Sequence, residues 1–439
     1  MGHIGDPERG RTLHTFTAEA SAALDGPEWL RRRRAAGYEA LTSCELPSDS
    51  EEVWRYTPIN SLVLDDFEPP ANEGPVPAGD QLLAAVNAAL GAVAGSVLVH
   101  NGRAVVFTGS SGDFDFGRAD DVPGSAEALG SVQQGGDALV RLNDAFAPDP
   151  VFVDVPEGVH VEAPVLIVHW CDSASAFPRT SVRAREGSKV SVVEVFAGAE
   201  GADRSLIVPV TELAAADGAS LDYVSVQIFG NAAWSIARLA GRGLGKSSLR
   251  TFTVGLGAAY DRVRADVSVE GKDARSEILS AYLGDGTQVH DIRTLQDHVA
   301  PRTTSELLCQ GAVAGTSRSV YSGLIRVHRG AVRSDARQTN HNLVLDEGAH
   351  ADSVPNLDIL ENDVRCAHAS TVGPVDEDQR YYIESRGVAP EVAEGLIVRG
   401  FFDAIIDRSP VPEVIPFLQR EVHERLEVAL GDRALPAGV

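Results

Sequence analysis

The sequence predicts a mainly β protein with a solenoid at its centre and α-helical regions at both ends. Short Val/Ile/Leu-rich segments separated by Gly, Asp and Ser fill residues 150–375, and a loose turn motif recurs there with glycine spacings of 31, 27 and 26 residues. Glycine is abundant, at 42 of 439 residues, which suits the tight corners of stacked coils. Helical periodicity returns near both ends. A β-sandwich with similar turns is the alternative.

Composition limits the class of function. Hydrophobic residues make up 44% of the chain, enough for a large core, and the net charge of −25 disfavours nucleic acid and anionic membranes as partners. No apolar segment follows Met1 and no run of 18 apolar residues occurs, so we expect no signal peptide and no membrane span. The four cysteines form no CxxC pair, which favours a reducing, cytoplasmic location without disulfides.

The first 95 residues are predicted to form an N-terminal helical region and a linker. A helix begins after Pro27 and carries four arginines at 31–34, which we interpret as a solvated helix face rather than a basic patch. Residues 48–56 indicate a second short helix or a docking segment. The Pro/Gly/Asn-rich stretch at 72–80 is typical of a linker.

Residues 96–375 are predicted to form the β core. Its first strands flank Asn101-Gly102, a strong signal for a β-hairpin. Alternating inward and outward residues follow each turn motif, as a solenoid needs in order to bury one face of every coil. The motifs lie at 186–190, 217–221, 245–249 and 270–274.

Residues 376–439 are predicted to form a C-terminal helical subdomain. One strongly apolar helix follows Pro390, and a second, amphipathic helix runs from about 413 to 430. Phe401 and Phe402 suggest either an exposed apolar surface or packing onto the end of the solenoid, and the sequence leaves both open.

One glycine-rich segment imitates a phosphate-binding loop. Residues 241–247 end in Gly-Lys-Ser, but Ala240 occupies the position where such a loop needs its first glycine. A strand rather than a helix is predicted after it, so we interpret it as a solenoid corner.

Two His-Asp neighbours are further candidates for a metal or acid–base site. His290-Asp291 and Asp297-His298 lie eight residues apart, and nothing in the sequence fixes them on one face. We therefore favour structural hydrogen bonding for both histidines.

Cys366 and His368 form the third candidate. Residues i and i+2 of a strand share a face, so a thiol and an imidazole would point the same way here. That pair suits iron or zinc but does not complete a tetrahedral site. Either Cys366 is a core residue beside a satisfied histidine, or the remaining ligands come from elsewhere, including another chain.

The residues around this pair resemble the SufB/SufD family of iron–sulfur cluster assembly proteins. The resemblance is dense over about 320–402 and looser back to about 150, and Trp29-Leu30 with 52–57 resemble the SufD branch in particular. Its most specific motifs are the segments 334–345, 351–359, 363–368 and 381–388.

Two departures from the SufB pattern agree with the SufD branch. Ala349 lies in a cysteine-free segment where SufB carries its cluster-building cysteine, and Ala369 replaces a glutamate that follows the motif histidine. The resemblance thus implies that parts of the scaffold chemistry belong to a second subunit.

The resemblance also implies a right-handed parallel β-helix flanked by helical regions, and a non-catalytic subunit of a complex. The implied partners are a SufB-like protein and two copies of a SufC-like ABC ATPase, one of them docked on the C-terminal helical region. His368, with Cys366, would bind iron or a nascent iron–sulfur cluster shared transiently with SufB, and a flavin could visit the complex. The alternatives are a β-helix carbohydrate-active enzyme and a purely structural partner without a metal role.

Overall fold

The computed structural model describes residues 14–70, 79–109, 112–199 and 204–433, and two β-sheets that face each other make up most of it. Most of the predicted linker, residues 72–78, lies outside these ranges. The helices are α1 (Ala18–Ala22), α2 (Glu28–Thr42), α3 (Gly79–Leu90), α4 (Ser125–Ala128), α5 (Ala138–Phe146), α6 (Glu377–Glu384), α7 (Pro390–Ile406) and α8 (Ile415–Leu430).

Within these ranges, twenty-one strands build the two sheets. The first eleven are β1 (Gly95–His100), β2 (Arg103–Thr108), β3 (Asp115–Arg118), β4 (Val151–Val155), β5 (Val165–Cys171), β6 (Ser175–Ala176), β7 (Arg179–Ala184), β8 (Lys189–Gly198), β9 (Ser205–Ile207), β10 (Val210–Ala215) and β11 (Ser220–Gln227). The remaining ten are β12 (Ala233–Gly243), β13 (Ser248–Gly255), β14 (Tyr260–Val269), β15 (Arg275–Gly284), β16 (Val289–His298), β17 (Thr304–Val313), β18 (Arg318–Val327), β19 (Asp335–Val344), β20 (His350–Ile359) and β21 (Arg365–Gly373).

Successive strands from β10 onward alternate between the sheets, which is the topology of a solenoid. The first sheet has the order β2-β1-β5-β8-β11-β13-β15-β17-β19-β21, and the second β20-β18-β16-β14-β12-β10-β7-β4-β3. Apart from the two edges formed by β2 and β3, neighbouring strands are parallel and in register. The predicted parallel β-solenoid with helical ends is confirmed, with about eight coils, and the sandwich alternative is excluded.

The corners of the coils use a left-handed residue two positions before each strand of the first sheet from β8 to β19. Gly187 and Gly218 take this position with φ of 63° and 69°, as the turn motif predicts. At the next two corners the left-handed residues are Lys246 and Asp273, with φ of 56° and 64°, rather than the motif glycines. The repeat in backbone conformation is therefore more regular than the repeat in sequence.

The core has an inner part between the sheets and outer parts beneath the helices. The inner part holds apolar side chains from both sheets, including Tyr223, Tyr282 and Tyr321. Helices α3, α7 and α8 cover the outer face of the first sheet. The prediction of an exposed apolar surface around Phe401 and Phe402 is wrong, because Phe402 is fully buried and Phe401 is half-buried. Both pack against the side of the solenoid rather than its end.

The arginine run in α2 also differs from the prediction. Arg32 pairs with Glu28 on the surface, as a solvated face requires. Arg34 is buried, and its guanidinium donates to the carbonyl oxygens of Leu24 and Ala147 at 2.8 and 2.9 Å, while burial lowers its pKa to about 10. Arg34 therefore links α2 to the end of α5, and backbone carbonyl oxygens accept hydrogen bonds from its buried charged group.

The segment around Trp54 docks on the outer face of the second sheet. Trp54 is buried, and the Arg262 guanidinium lies 3.7 Å from the centroid of its ring. Arg262 also pairs with the buried carboxylate of Asp291 and donates to the carbonyl oxygen of Val53 at 2.8 Å. The docking interpretation of this segment is confirmed.

The two ends of the solenoid are built differently. At the N-terminal end the short strands β2 and β3 run antiparallel to the coils, and Phe107 and Phe114 pack around Phe116 with ring centroids 5.2 and 6.4 Å away. At the C-terminal end β20 and β21 are the last strands of their sheets. They are ten and nine residues long, and most of their residues are exposed.

Within the ranges that the structure describes, no helix is both long and apolar enough to cross a membrane.

Candidate functional site at the open end of the solenoid

Cys366 and His368 both lie on β21, in the last coil of the solenoid. β21 pairs with β19 so that Cys366, His368 and Ser370 lie in register with Ala336, Gln338 and Asn340. Those three β19 residues are buried and point into the core between the sheets. Because side chains in register on parallel strands share a face, Cys366 and His368 also point inward. Their shared face is the one that the i, i+2 spacing predicts. With no further coil above it, His368 is exposed.

The two side chains have different surroundings. Cys366 is half-buried against a small apolar cluster that contains Ile325, Val327 and Ala336. Burial, together with the nearby carboxylate of Asp335, raises the pKa of the Cys366 thiol, which is therefore protonated at neutral pH. His368 is accessible to a ligand without rearrangement, whereas Cys366 must lose its proton and leave apolar contacts.

An apolar rim surrounds this pair. Leu357 and Ile359 of β20 and Val372 of β21 are in register with inner residues of the preceding coil, yet they are 39 to 44% exposed. They would be core residues if another coil followed. Large apolar side chains exposed together are a common feature of protein interaction surfaces.

A chain of hydrogen bonds runs from this open end into the interior. The Ser370 hydroxyl donates to Ser353 Oγ at 2.6 Å, and Ser353 Oγ donates to Asn340 Oδ1 at 2.8 Å. Asn342 Nδ2 donates to the same Asn340 oxygen at 2.7 Å, and the Tyr282 hydroxyl donates to Asn342 Oδ1. These bonds fix the inner faces of β19 and β21 against β20.

The polar inner residues of β19 were not identified as site residues from the sequence. Gln338, Asn340 and Asn342 alternate with a period of two, which is the signal that could have found them, because three inward amides are unusual in a strand that fills a core. Their proximity to His368 depends on the register between β19 and β21, which cannot be deduced from the sequence.

The described residues do not complete a metal site by themselves. No group of three or more His, Cys, Asp or Glu side chains comes together there in a way that could hold an ion. His368 and Cys366 provide two donors at an accessible end, so a metal held here needs ligands from another molecule.

The other two candidate histidines are buried inside the solenoid. His298 is buried, with Nδ1 at 2.7 Å from Thr303 Oγ1 and Nε2 at 2.7 Å from Ser305 Oγ, and burial lowers its pKa to about 4. His290 lies buried 3.4 Å from Asp261 and stacks on Tyr282. The predicted structural hydrogen bonding is confirmed for His298. It is wrong for His290, because neither of its ring nitrogens has a hydrogen-bond partner among the described residues.

The segment that imitates a phosphate-binding loop is a solenoid corner, as predicted. Residues 241–243 finish β12, Lys246 turns the chain and β13 begins at Ser248. A helix N-terminus, which would supply the amides for a phosphate, is absent from this described corner.

The chain matches the family model described as SUF system FeS cluster assembly, SufBD core domain, over residues 168–401. An iron–sulfur cluster assembly SufBD family protein of Mycobacterium leprae is 38% identical over 194 residues, covering 42% of this chain and 50% of that protein. The iron–sulfur cluster assembly protein SufD of Escherichia coli is 26% identical over 373 residues, covering 83% and 85%, and SufD of Bacillus subtilis is 26% identical over 291 residues, covering 65% and 67%.

The match to the Mycobacterium leprae protein thus spans half of that relative's length, whereas the two SufD matches span more of theirs. The family model covers more than half of this chain, from the middle of β5 through β21 and most of α7. It therefore contains the open end with His368 and Cys366. The chain belongs to the SufBD family of iron–sulfur cluster assembly proteins and is SufD-like.

Proposed function

We propose that this chain is a non-catalytic, cytoplasmic subunit of a cluster-assembly complex, and that the open end of its solenoid faces a SufB-like partner. In that interface His368, assisted by Cys366, helps to hold iron or a nascent iron–sulfur cluster. The observation that carries the proposal is the position of this pair: both side chains point inward on the last coil, inside an exposed apolar rim.

The strand edges support a protein partner at this end. In the part of the chain that the structure describes, β20 and β21 each present one edge without a neighbouring strand, and both are long. Such edges pair readily with another chain, and soluble proteins usually shorten, twist or cover them. A second solenoid with a matching end would cover the edges and the apolar rim together.

The donor chemistry supports iron as cargo. Neutral imidazole is a good ligand for iron, and thiolates from the partner would supply the softer donors that iron–sulfur clusters need. Since His368 and Cys366 are two donors without a third in the described part of the chain, the proposal shares the ligand set between subunits. It needs iron and sulfide alone and gives flavin no role.

The C-terminal helical region, residues 376–439, is the proposed docking site of a SufC-like ABC ATPase. Helices α7 and α8 bury one side on the first sheet and leave the other free, where Val428 is 71% exposed. ATP-driven closure of two ATPase subunits would then pull on the solenoids and open the shared site. We expect Val428→Glu to weaken ATPase capture, while Val299→Glu, on an exposed corner of the solenoid, leaves it intact. Equal capture by both variants would contradict this docking site.

The ligand role is tested by co-expressing His368→Ala with the SufB-like and SufC-like chains and measuring iron and acid-labile sulfide in the purified complex. His350→Ala is the matched control, because His350 is also exposed in the last coil but hydrogen-bonds Asp352 at 3.1 Å. We expect a several-fold loss of iron and sulfide for His368→Ala alone. An intact His368→Ala complex with unchanged iron and sulfide would mean a purely structural role.

A further inference from the structure

A polar cavity of about 370 Å³ lies on the outer face of the second sheet. Its floor is on β12, β14 and β16, and its roof is the loop at 131–134, between α4 and α5. Leu239 and Val267 of these strands point into the core between the sheets, so alternate residues such as Arg242 point outward. The cavity is therefore on the other side of this sheet from the inward residues of the open end. Its volume is near the lower end of the range for small-molecule sites, about 300–1,000 Å³.

The roof of this cavity is held in place by the protein itself. The backbone amides of Val132 and Gln133 donate to the buried carboxylate of Glu212 at 3.1 and 3.0 Å. From the floor, Arg238 Nε donates to Gln133 Oε1 at 2.5 Å. The cavity is thus formed before any ligand arrives, as sites for small molecules usually are.

Two charged side chains in the lining, Arg242 and Glu270, have no ion-pair partner among the described residues. Arg242 reaches from the floor to the roof, where its Nη1 donates to the Ser131 carbonyl oxygen at 3.2 Å. Glu270 is exposed and follows β14 directly, and its backbone amide donates to the carbonyl oxygen of Gly243, next to Arg242. An unpaired cation and an unpaired anion in one cavity are complementary to a ligand that carries both charges.

The other charged residues of the lining already have partners. Arg238 Nη1 lies 2.7 Å from the Asp266 carboxylate. His328 Nε2 lies 2.9 Å from Asp297 Oδ1. With two arginines and three carboxylates in the lining, a phosphate or nucleotide would meet the carboxylates and a divalent cation would meet the arginines. A small molecule with one charge of each sign avoids both repulsions.

We propose that this cavity binds a small zwitterion of the class of α-amino acids. The α-carboxylate accepts hydrogen bonds from the Arg242 guanidinium, and the α-ammonium group donates to the Glu270 carboxylate. Ala240 and Leu295 line the same cavity and provide apolar surface for the side chain of the amino acid. This binding site goes beyond the proposed role in cluster assembly and does not depend on it.

The test measures the binding of each common L-amino acid, at up to about 10 mM, to the purified full chain by saturation-transfer NMR, with titration of those that bind. We expect at least one of them to bind with a Kd below about 1 mM. Propionate and propylamine each carry only one of the two charges, so they should bind more weakly by about tenfold or more.

Glu270→Gln is the cleanest variant, because the Glu270 carboxylate has no hydrogen bond or ion pair among the described residues to lose. It should weaken binding by about tenfold or more. Arg242→Met should do the same, with circular dichroism as a check of its fold because it also loses the bond to the roof. Glu186→Gln is the matched control, since Glu186 is an exposed glutamate that precedes the glycine of another corner, outside the cavity.

The proposal is overturned if none of the amino acids binds at about 10 mM. Equal binding by wild type, Glu270→Gln and a folded Arg242→Met would also overturn it. Propionate that binds as tightly as the best amino acid would identify an anion site instead, and an equal loss in Glu186→Gln would place the binding site elsewhere on the chain.

Discussion

The two ends of the solenoid solve the same problem in different ways. A stack of parallel coils must end somewhere, and each end leaves strand edges and inward side chains without a neighbour. At the N-terminal end, β2 and β3 are short and antiparallel, the pairing of β1 with β2 is interrupted by a register shift at Leu98/Val99, and three phenylalanines close the interior. At the C-terminal end the coils simply stop. The difference shows that the first end is closed by this chain's own strands and side chains, and it supports the proposal that a partner completes the second.

The largest expected effect is a difference in stability between substitutions at the two ends. Phe114 is 4% exposed at the closed end, so Phe114→Ala should leave a cavity and lower the free energy of unfolding by about 3–5 kcal/mol. Leu357→Ala at the open end removes a similar apolar group that is 40% exposed, and we expect a change below about 1 kcal/mol. Urea unfolding followed by circular dichroism measures both. Similar losses for the two variants would mean that the open end is packed within the monomer.

The second prediction concerns a histidine that is buried between the two sheets. His298 lies in the interior two coils beneath Ile359 of the open end. Burial lowers its pKa from 6.5 to about 4, so between these pH values the unfolded chain binds a proton that the folded chain does not. Stability contributed by the neutral imidazole is therefore present at pH 7 and is lost as the pH falls toward 4.

From pH 6.5 to pH 4, the wild-type chain should lose about 3 kcal/mol more than His298→Asn. Urea unfolding of both proteins at several pH values gives this difference. Parallel pH profiles for wild type and His298→Asn would show that His298 is not held neutral by burial.

The third prediction concerns partner binding at the open end. Leu357→Asp places a charge inside the apolar rim, where a covering partner would have to desolvate it, so we expect affinity for the SufB-like chain to fall by about 30-fold, or about 2 kcal/mol. Val106→Asp is the control at the closed end, since Val106 is exposed on the edge strand β2. Co-purification and titration of the two chains compare the variants. Equal binding by both would place the partner away from the open end.

Sequence patterns account for the architecture and for the shared face of Cys366 and His368, because both depend on local periodicity. They do not account for features set by contacts between distant segments. Arg34 is one of four consecutive arginines, and only the position of α5 explains why it is buried while Arg32 is not. Phe402 looks like a surface anchor until the first sheet is seen beneath α7. The buried amide of Gln338 is a neighbour of His368 only because of the register between β19 and β21.

The most direct test of the central claim is hydrogen–deuterium exchange of this chain with and without the SufB-like partner. An open end that is completed by the partner predicts new protection of backbone amides in His350–Ile359 and Arg365–Gly373, the last strands of the two sheets. Amides of Arg103–Thr108 at the closed end should exchange at the same rate in both samples. Protection confined to the closed end or to the helices, with unchanged exchange in the last coil, would contradict the account.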